Sequence, residues 1–314
     1  MTRRTDTRRT LLLALESYRG FADALAAELG IEQGWLESKR FPDGERYLRV
    51  HGEVANRNVI LLGGTHDDQA FLDLYEAGCH VVRTGARSLA LTVPYYGYST
   101  MERATQPGEV VTAKTRARAF SAIPRAQTGN VIFLMDLHTE GIAHYFGDGL
   151  TTRHLRADPV VHDLIRGLDL DDPVIASTDA GRAKQVVAIA NALGRTAAFV
   201  YKRRVDDSLE MTGVNADVSD RPVVIYDDMV RTGGSLIQAA AAYLAQGASE
   251  VHAVTTHLAL AGDSAKELLA APEITSLSGT DTHPRAALLS AAGGRVASVV
   301  PLIVEALRAR YPYL

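Results

Sequence analysis

Two adjacent acids, Asp227 and Asp228, stand just ahead of Thr232, Gly233, Gly234 and Ser235 in the stretch VVIYDDMVRTGGSLIQAAAAYL. The Thr-Gly-Gly-Ser segment offers hydroxyls, unobstructed backbone N–H groups and the positive end of a helix dipole, which together make a seat for a phosphate. Carboxylates beside a phosphate repel it unless they are occupied. The acid pair should therefore hold sugar hydroxyls, a divalent cation, or both. A sugar carrying a phosphate satisfies both halves. The plainer alternative is a strand-to-helix turn whose acids cap the helix and whose glycines turn the chain.

Such chemistry needs a strand to deliver the acids and a helix to receive the loop. Val223 to Tyr226 reads as a short buried strand and Ser235 to Leu244 as a helix with an apolar face. Similar apolar runs recur at Thr10–Leu15, Val59–Leu62, Ser88–Val93, Val131–Met135, Val174–Ser177, Ala197–Tyr201 and Val251–Thr256. Between them lie helical patterns such as Gly20–Gly30 and Ala183–Gly194, apolar near every third or fourth residue and finished by glycine. Alternating strands and helices imply α/β architecture with mainly parallel sheets covered on both faces. The strands are too many for one compact unit. Glycines and polar residues break the periodicity across Tyr145–Pro159, which predicts two similar domains, 1–150 and 151–314, the last helix packing back on the first.

In open α/β sheets ligands gather where strands end, so the residues that follow each strand are the next candidates. After Val131–Met135 come Asp136 and His138, able to orient a ligand or simply to be hydrogen-bonded. Asp179 follows Val174–Ser177, as a helix N-cap or as one more acid of a cation site. Lys202, Arg203 and Arg204 follow Ala197–Tyr201. If that strand continues, Lys202 and Arg204 point the same way and could meet the charge on a transferring phosphoryl group. The stretch FPDGERYLRV, Phe41 to Val50, reads as a hairpin turn entering a strand.

Composition narrows the function classes. The 314 residues are 46% hydrophobic, which is a globular content, and the net charge of −4 comes without a basic cluster in a nucleic-acid motif. Nucleic acid is therefore not expected as a partner. One cysteine, Cys79, excludes an intrachain disulfide and favours a reducing compartment. The apolar run Leu11–Leu15 is too short for an export signal, and no run approaches a bilayer's width, so no membrane partner and a cytoplasmic location are expected.

Taken in order, FPDGE, PYYGY, VVTAK, DLHTEGIAHYF, STDAG, KRR, DDMVRTGGS and VTTHLAL resemble the ribose-phosphate diphosphokinase (PRPP synthetase) family over nearly the whole chain. The acid and glycine stretch by itself resembles the loop that this family shares with type I phosphoribosyltransferases. The resemblance implies two domains of type I phosphoribosyltransferase-like fold, dependence on Mg²⁺, and homo-oligomers built from dimers up to hexamers. It also implies transfer of the diphosphate of ATP to the C1 hydroxyl of ribose 5-phosphate. Carried over, Asp227 and Asp228 hold the ribose hydroxyls and an associated cation, and Thr232, Gly233, Gly234 and Ser235 hold the 5-phosphate. His138 and Asp179 bind Mg²⁺ on ATP, Lys202 and Arg204 stabilise the transition state, and Phe41, Asp43 and Glu45 receive adenine from a neighbouring subunit.

Three departures stand out. Where the family commonly has Arg-Gln-Asp, the segment GYSTMER has Thr100 and Met101, with Arg103 one turn on as the replacement phosphate contact. Arg231, where many members carry an acid, is placed to strengthen phosphate binding or to pair with Asp228. Arg182 takes the place of a second glycine after Asp-Ala-Gly. Two other readings share these motifs: a catalytically weak regulatory relative, and a PRPP-dependent phosphoribosyltransferase.

Overall fold

The computed structural model describes residues 9–205 and 208–314, with the side chains of all of these except 201–213. The chain divides into two compact units, one running through Arg156 and taking up Val300–Leu314, the other spanning Ala157–Val299.

The first unit is built on β1 (Thr10–Ala14), β2 (Glu32–Gln33), β5 (Asn58–Leu62), β6 (Ser88–Val93), β7 (Asn130–Met135) and β8 (Leu150–Leu155), with the hairpin of β3 (Trp35–Arg40) and β4 (Arg46–His51) beside them. The six pair in the order β2-β1-β5-β6-β7-β8, every neighbour parallel. Strands β1, β5, β6 and β7 are buried along their whole length, the pattern demanded of parallel strands covered on both faces. Helices α1 (Arg19–Leu29), α2 (Asp68–Arg83) and α3 (Thr112–Ser121) provide the cover. Gly30 ends α1 in the left-handed conformation, and the Asp67 side chain caps α2 by accepting from the Ala70 N–H at 2.7 Å.

The segment whose broken periodicity predicted the domain boundary contains β8, which pairs with β7 from Leu150 to Leu155. Its mixed exposure is that of an edge strand, so its polar residues mark the rim of the first sheet, and the division falls after Arg156.

In the second unit, β9 (Val174–Ser177), β10 (Ala197–Val205), β11 (Ser208–Val214), β12 (Pro222–Val230), β13 (Glu250–Leu258), β14 (Ser276–Thr280) and β15 (Arg295–Ala297) form one sheet. The order is β11-β10-β9-β12-β13-β14-β15, and β11 alone runs antiparallel to its neighbour. Around it lie α4 (Asp158–Arg166), α5 (Ala183–Leu193), α6 (Gly234–Ala245), α7 (Ser264–Ala270) and α8 (Ala286–Ala291). Its core joins Val223, Ile225, Val251 and Ala253 of the central strands to Leu236, Ala239, Ala240 and Tyr243 of α6.

The last helix, α9 (Val300–Arg310), belongs to the first unit. It packs on α1, and the Arg308 guanidinium donates to the Glu28 carbonyl at 3.0 Å. Beyond it the Tyr311 hydroxyl lies 3.1 Å from Ser88 Oγ. The sole tryptophan, Trp35, lies in this unit and reports on its unfolding. Leu307 is fully buried, so Leu307→Ala should lower the stability of this unit by about 2–4 kcal/mol. A urea titration followed by Trp35 fluorescence would show the midpoint fall; an unchanged midpoint would deny α9 its place in the core.

Candidate active site

Strand β12 carries the acid pair within it and runs on to Val230, four residues beyond the apolar stretch that reveals it in the sequence. Val223 to Tyr226 are buried, and Asp227 and Asp228 follow before the chain leaves the sheet. Asp228 is 4% exposed while Asp227 keeps more access to solvent. Burying a carboxylate is tolerable only if it is paired or protonated. Asp228 takes the first course, through an ion pair of 2.7 Å between its Oδ1 and the Arg182 guanidinium. Asp227 takes the second. Burial, then the charge of Asp228 and a hydrogen bond with it, push its carboxyl up to about 7, against the opposing pull of Arg182 and a hydrogen bond from Thr178. The Thr178 hydroxyl donates to Asp227 Oδ2 at 3.2 Å.

The neighbours that hold this arrangement are themselves tied to β12. Gln185 of α5 donates to the Tyr226 hydroxyl at 3.0 Å, and that hydroxyl lies 2.9 Å from Thr256 Oγ1 on β13. From α6, the buried Tyr243 hydroxyl donates to the Ser177 carbonyl at the end of β9 at 2.9 Å. Strands β9 and β12 are parallel neighbours, so the ends that carry Thr178 and the acid pair come together.

After β12 a loop of three residues, Arg231 to Gly233, turns into α6. Gly233 is the N-cap, with φ of 81°, and no side chain caps the helix. The Leu236 and Ile237 N–H groups donate back to the Gly233 carbonyl at 3.0 Å each. The exposed Thr232, Gly234 and Ser235 leave their polar groups open to an anion at the helix N-terminus. The two glycines serve different ends. A side chain at Gly233 would collide with Leu268 as well as strain the backbone, whereas nothing stands within 4 Å of where one would project from Gly234. Gly233 therefore lets the loop pack, and Gly234 leaves room for a ligand. Arg231, exposed beside the loop, has its carbonyl anchored by the Ser264 hydroxyl at 2.9 Å.

The structure places the other candidates as follows. Asp179 caps the short turn Ala180–Arg182, accepting from the Gly181 N–H at 2.8 Å. In the first unit, His138 is half-buried beyond β7, after Asp136, whose φ of 38° turns the chain sharply there. Phe41, Asp43 and Glu45 occupy the exposed turn of the β3–β4 hairpin, where the Glu45 N–H donates to Asp43 Oδ1 at 3.0 Å. The Phe41 ring meets Tyr47 edge-on. Arg103 is exposed, 3.6 Å from the Glu102 carboxylate. Lys202 and Arg204 lie on β10, and their side chains fall outside the described residues.

Among the described residues no group of three or more His, Cys, Asp or Glu side chains could hold a metal. The donor chemistry of the acid pair suits Mg²⁺, which is commonly held by one or two carboxylates together with phosphate oxygens of the substrate.

Sequence reasoning missed two arginines that matter. Arg182 shows in the sequence only as a replacement for a second glycine, because pairing across strands leaves no local signal. Arg116 of α3 was not singled out at all. Its guanidinium lies over the rings of Tyr98 and Phe71, at 4.0 and 4.5 Å from their centres, and it bonds Asp68. Asp68 also accepts from the Tyr98 hydroxyl at 2.6 Å. Tyr98 has φ of 59°, so this cluster fixes a strained start to the segment that runs to Arg103.

A parallel-sheet unit with acids at the end of one strand and an uncapped glycine turn leading into a helix sets hydroxyl acceptors beside anion donors. The chain's relatives specify the group further. The profile of the N-terminal domain of ribose phosphate pyrophosphokinase matches residues 10–123, and that of the phosphoribosyl synthetase-associated domain matches residues 171–312. The ribose-phosphate pyrophosphokinase of Methanosarcina acetivorans is 32% identical over 290 residues, covering 91% of this chain and 95% of that one. That of Gloeobacter violaceus is 34% identical over 292 residues, covering 91% and 85%. The crystal structure of phosphoribosylpyrophosphate synthetase from Mycobacterium smegmatis superposes with a TM-score of 0.85 at 25% identity, covering 97% of this chain and 99% of that one. The chain belongs to the ribose-phosphate pyrophosphokinase family, and the expected fold of two helix-flanked parallel-sheet domains is the one observed.

Two outcomes test this geometry. Gly233→Ala should cost on the order of 1–3 kcal/mol of stability from the positive φ alone, whereas Gly234→Ala should leave the denaturation midpoint in place and weaken sugar-phosphate binding. Equal midpoints for the two variants would contradict the division of labour.

Asp227 provides the second test. Its folded-state value lies above the unfolded 3.8, so its contribution to stability is full below 3.8 and is lost as the pH rises through about 7. Binding should run the other way, because the carboxylate is the better acceptor for sugar hydroxyls. Affinity for a sugar phosphate should rise between about pH 6 and pH 8 more steeply in the wild type than in Asp227→Asn, in which only the ligand's own phosphate still titrates. Calorimetric titration of both proteins would decide it, and parallel profiles would remove Asp227 from the site.

Proposed function

We propose that this chain transfers the β,γ-diphosphate of ATP to the C1 hydroxyl of ribose 5-phosphate, giving phosphoribosyl diphosphate and AMP. The observation that carries the reading is the acid pair of β12 joined to an uncapped glycine turn, in a chain of the ribose-phosphate pyrophosphokinase family. In the reaction the C1 oxygen bonds to the β-phosphorus, the bond from that phosphorus to the oxygen shared with the α-phosphate breaks, and AMP leaves with the electron pair. The hydroxyl proton is released.

Positioning and charge neutralisation supply most of the catalysis in such a step, so no side-chain nucleophile is required. Asp227 and Asp228 accept from the ribose hydroxyls. The N–H groups and hydroxyls from Thr232 to Ser235, with Arg231 beside them, take the 5-phosphate. His138 and Asp179 are assigned to Mg²⁺, which when bound neutralises and orients the phosphates of ATP. Lys202 and Arg204 are assigned to the charge that develops on the transferred group. Phe41, Asp43 and Glu45, exposed on a hairpin turn, suit an adenine bound by a neighbouring subunit of a dimer-based homo-oligomer, and Arg103 suits a donor phosphate. A cytoplasmic site of action suits a chain with one cysteine, and among the described residues no helix is long and apolar enough to cross a membrane.

Incubation with Mg²⁺, ATP and ribose 5-phosphate, followed by separation of the nucleotides, tests the reaction. AMP that forms only when ribose 5-phosphate is present is the expected result. ADP would mean transfer of a single phosphate, and ligand binding without turnover would mean a regulatory relative. Lys202→Ala should lower kcat by roughly 100-fold or more and leave ribose 5-phosphate affinity nearly intact. Equal losses in both would make Lys202 a ground-state contact.

A further inference from the structure

Arg116 stands where packing alone does not call for a charge. Its side chain, 12% exposed on α3, lies over the rings of Tyr98 and Phe71, and its buried Nη1 has no hydrogen-bond partner among the described residues. A methionine or leucine would fill the same gap without an unmatched donor. A charge kept at such a cost points to a task other than filling space. The partners of the guanidinium show where that task lies. Asp68 and Phe71 stand one turn apart at the start of α2, while Tyr98 opens the segment that runs to Arg103.

Tyr98 is the strained member of this group. Its φ of 59° lies in the left-handed region, which a bulky side chain rarely adopts. The Arg116 guanidinium covers its ring, and its hydroxyl donates to Asp68, whose carboxylate Arg116 also binds. Arg116 therefore holds the tyrosine twice, once by the ring and once by orienting the acceptor of its hydroxyl. Further along, the Met101 N–H donates to the Tyr98 carbonyl at 2.9 Å, and the Tyr145 hydroxyl donates to the Glu102 carbonyl at 2.6 Å. Lys114, also on α3, lies over the Tyr145 ring at 5.9 Å from its centre. One helix thus steadies both ends of the segment, from which Arg103 projects with 78% of its side chain exposed.

We propose that Arg116 is a positioning residue for the diphosphate donor: it holds Tyr98 in its left-handed conformation and thereby fixes the segment that presents Arg103 to the phosphates of ATP. The proposal rests on the reading of Arg103 as a donor contact. Arg116 belongs to the first unit and the acid pair to the second, so the loss of its guanidinium should be felt by the nucleotide and not by the sugar phosphate. A segment already set in its binding conformation loses less freedom when the nucleotide arrives, which is how a residue that touches no ligand raises affinity.

The test uses the full-length protein with Mg²⁺ present. Wild type, Arg116→Met and Arg116→Lys are compared by hydrogen–deuterium exchange of the Met101 amide and by calorimetric titration with ribose 5-phosphate and with α,β-methylene-ATP, an analogue whose diphosphate cannot be transferred. In Arg116→Met the amide should exchange about fivefold faster or more, affinity for the analogue should fall about tenfold, and affinity for ribose 5-phosphate should stay within about twofold of wild type. Arg116→Lys, which keeps the charge beside Asp68 but not the flat face on Tyr98, should fall between the two. A merely structural role would lower both affinities together, along with the denaturation midpoint followed by Trp35. Equal exchange in the wild type and Arg116→Met overturns the proposal, as does faster exchange with unchanged affinity for the analogue. If the methionine variant does not fold, Arg116→Lys decides the matter by the same two readouts. Arg103→Ala separates the proposal from the reading beneath it: it should weaken the analogue and leave the Met101 amide as it was. Unchanged affinity in Arg103→Ala, or no binding of the analogue even by the wild type, would overturn the donor reading, and the exchange arm would still decide whether Arg116 holds the segment.

Discussion

Two carboxylates on consecutive residues at the end of a buried strand are costly to keep together, and the arrangement of the second unit follows from how that cost is met. One acid is matched by Arg182, the other is pushed toward its neutral form near pH 7 and steadied by Thr178. Both remedies require β9, which delivers Thr178 and the turn before Arg182, to lie directly beside β12. The parallel register makes this adjacency automatic, and the buried hydroxyls of Tyr226 and Tyr243 fasten the flanking helices to it. The same register brings the glycine turn of α6 to this end of the sheet, so the open N–H groups at the start of that helix lie a few residues from the acids.

Much of this was legible in the residues. All eight apolar runs taken as strands are strands, and the glycines that close α1 and α5 adopt the left-handed conformation expected of them. These features are local, set by burial on both faces or by a single backbone angle. The misses are of another kind. Strands β8 and β15 lie at the sheet edges, where partial exposure or shortness erases the apolar run. The length of β12 was underestimated because Asp227 and Asp228 end the apolar pattern, although strand pairing continues to Val230.

The site divides along the same line. The acid pair and the glycine turn are contiguous, so their chemistry could be read directly. Arg182 lies 46 residues before Asp228 in the chain, and its partner emerges only when β9 and β12 pair. Arg116 likewise lies 18 residues beyond the Tyr98 whose ring it covers. Neither arginine has a spacing that reports its role. Both occupy positions where charge is unexpected on local grounds, one at a helix N-cap and one packed between aromatic rings.

The central claim is that the β12 acids and the α6 turn form one cradle for ribose 5-phosphate, and a crystal structure of the protein soaked with that sugar phosphate tests it most directly. The account predicts the phosphate against the N–H groups and hydroxyls of Thr232 to Ser235, with ribose hydroxyls on Asp227 and Asp228. A sugar phosphate bound elsewhere, with the turn empty and the acid pair untouched, would contradict it.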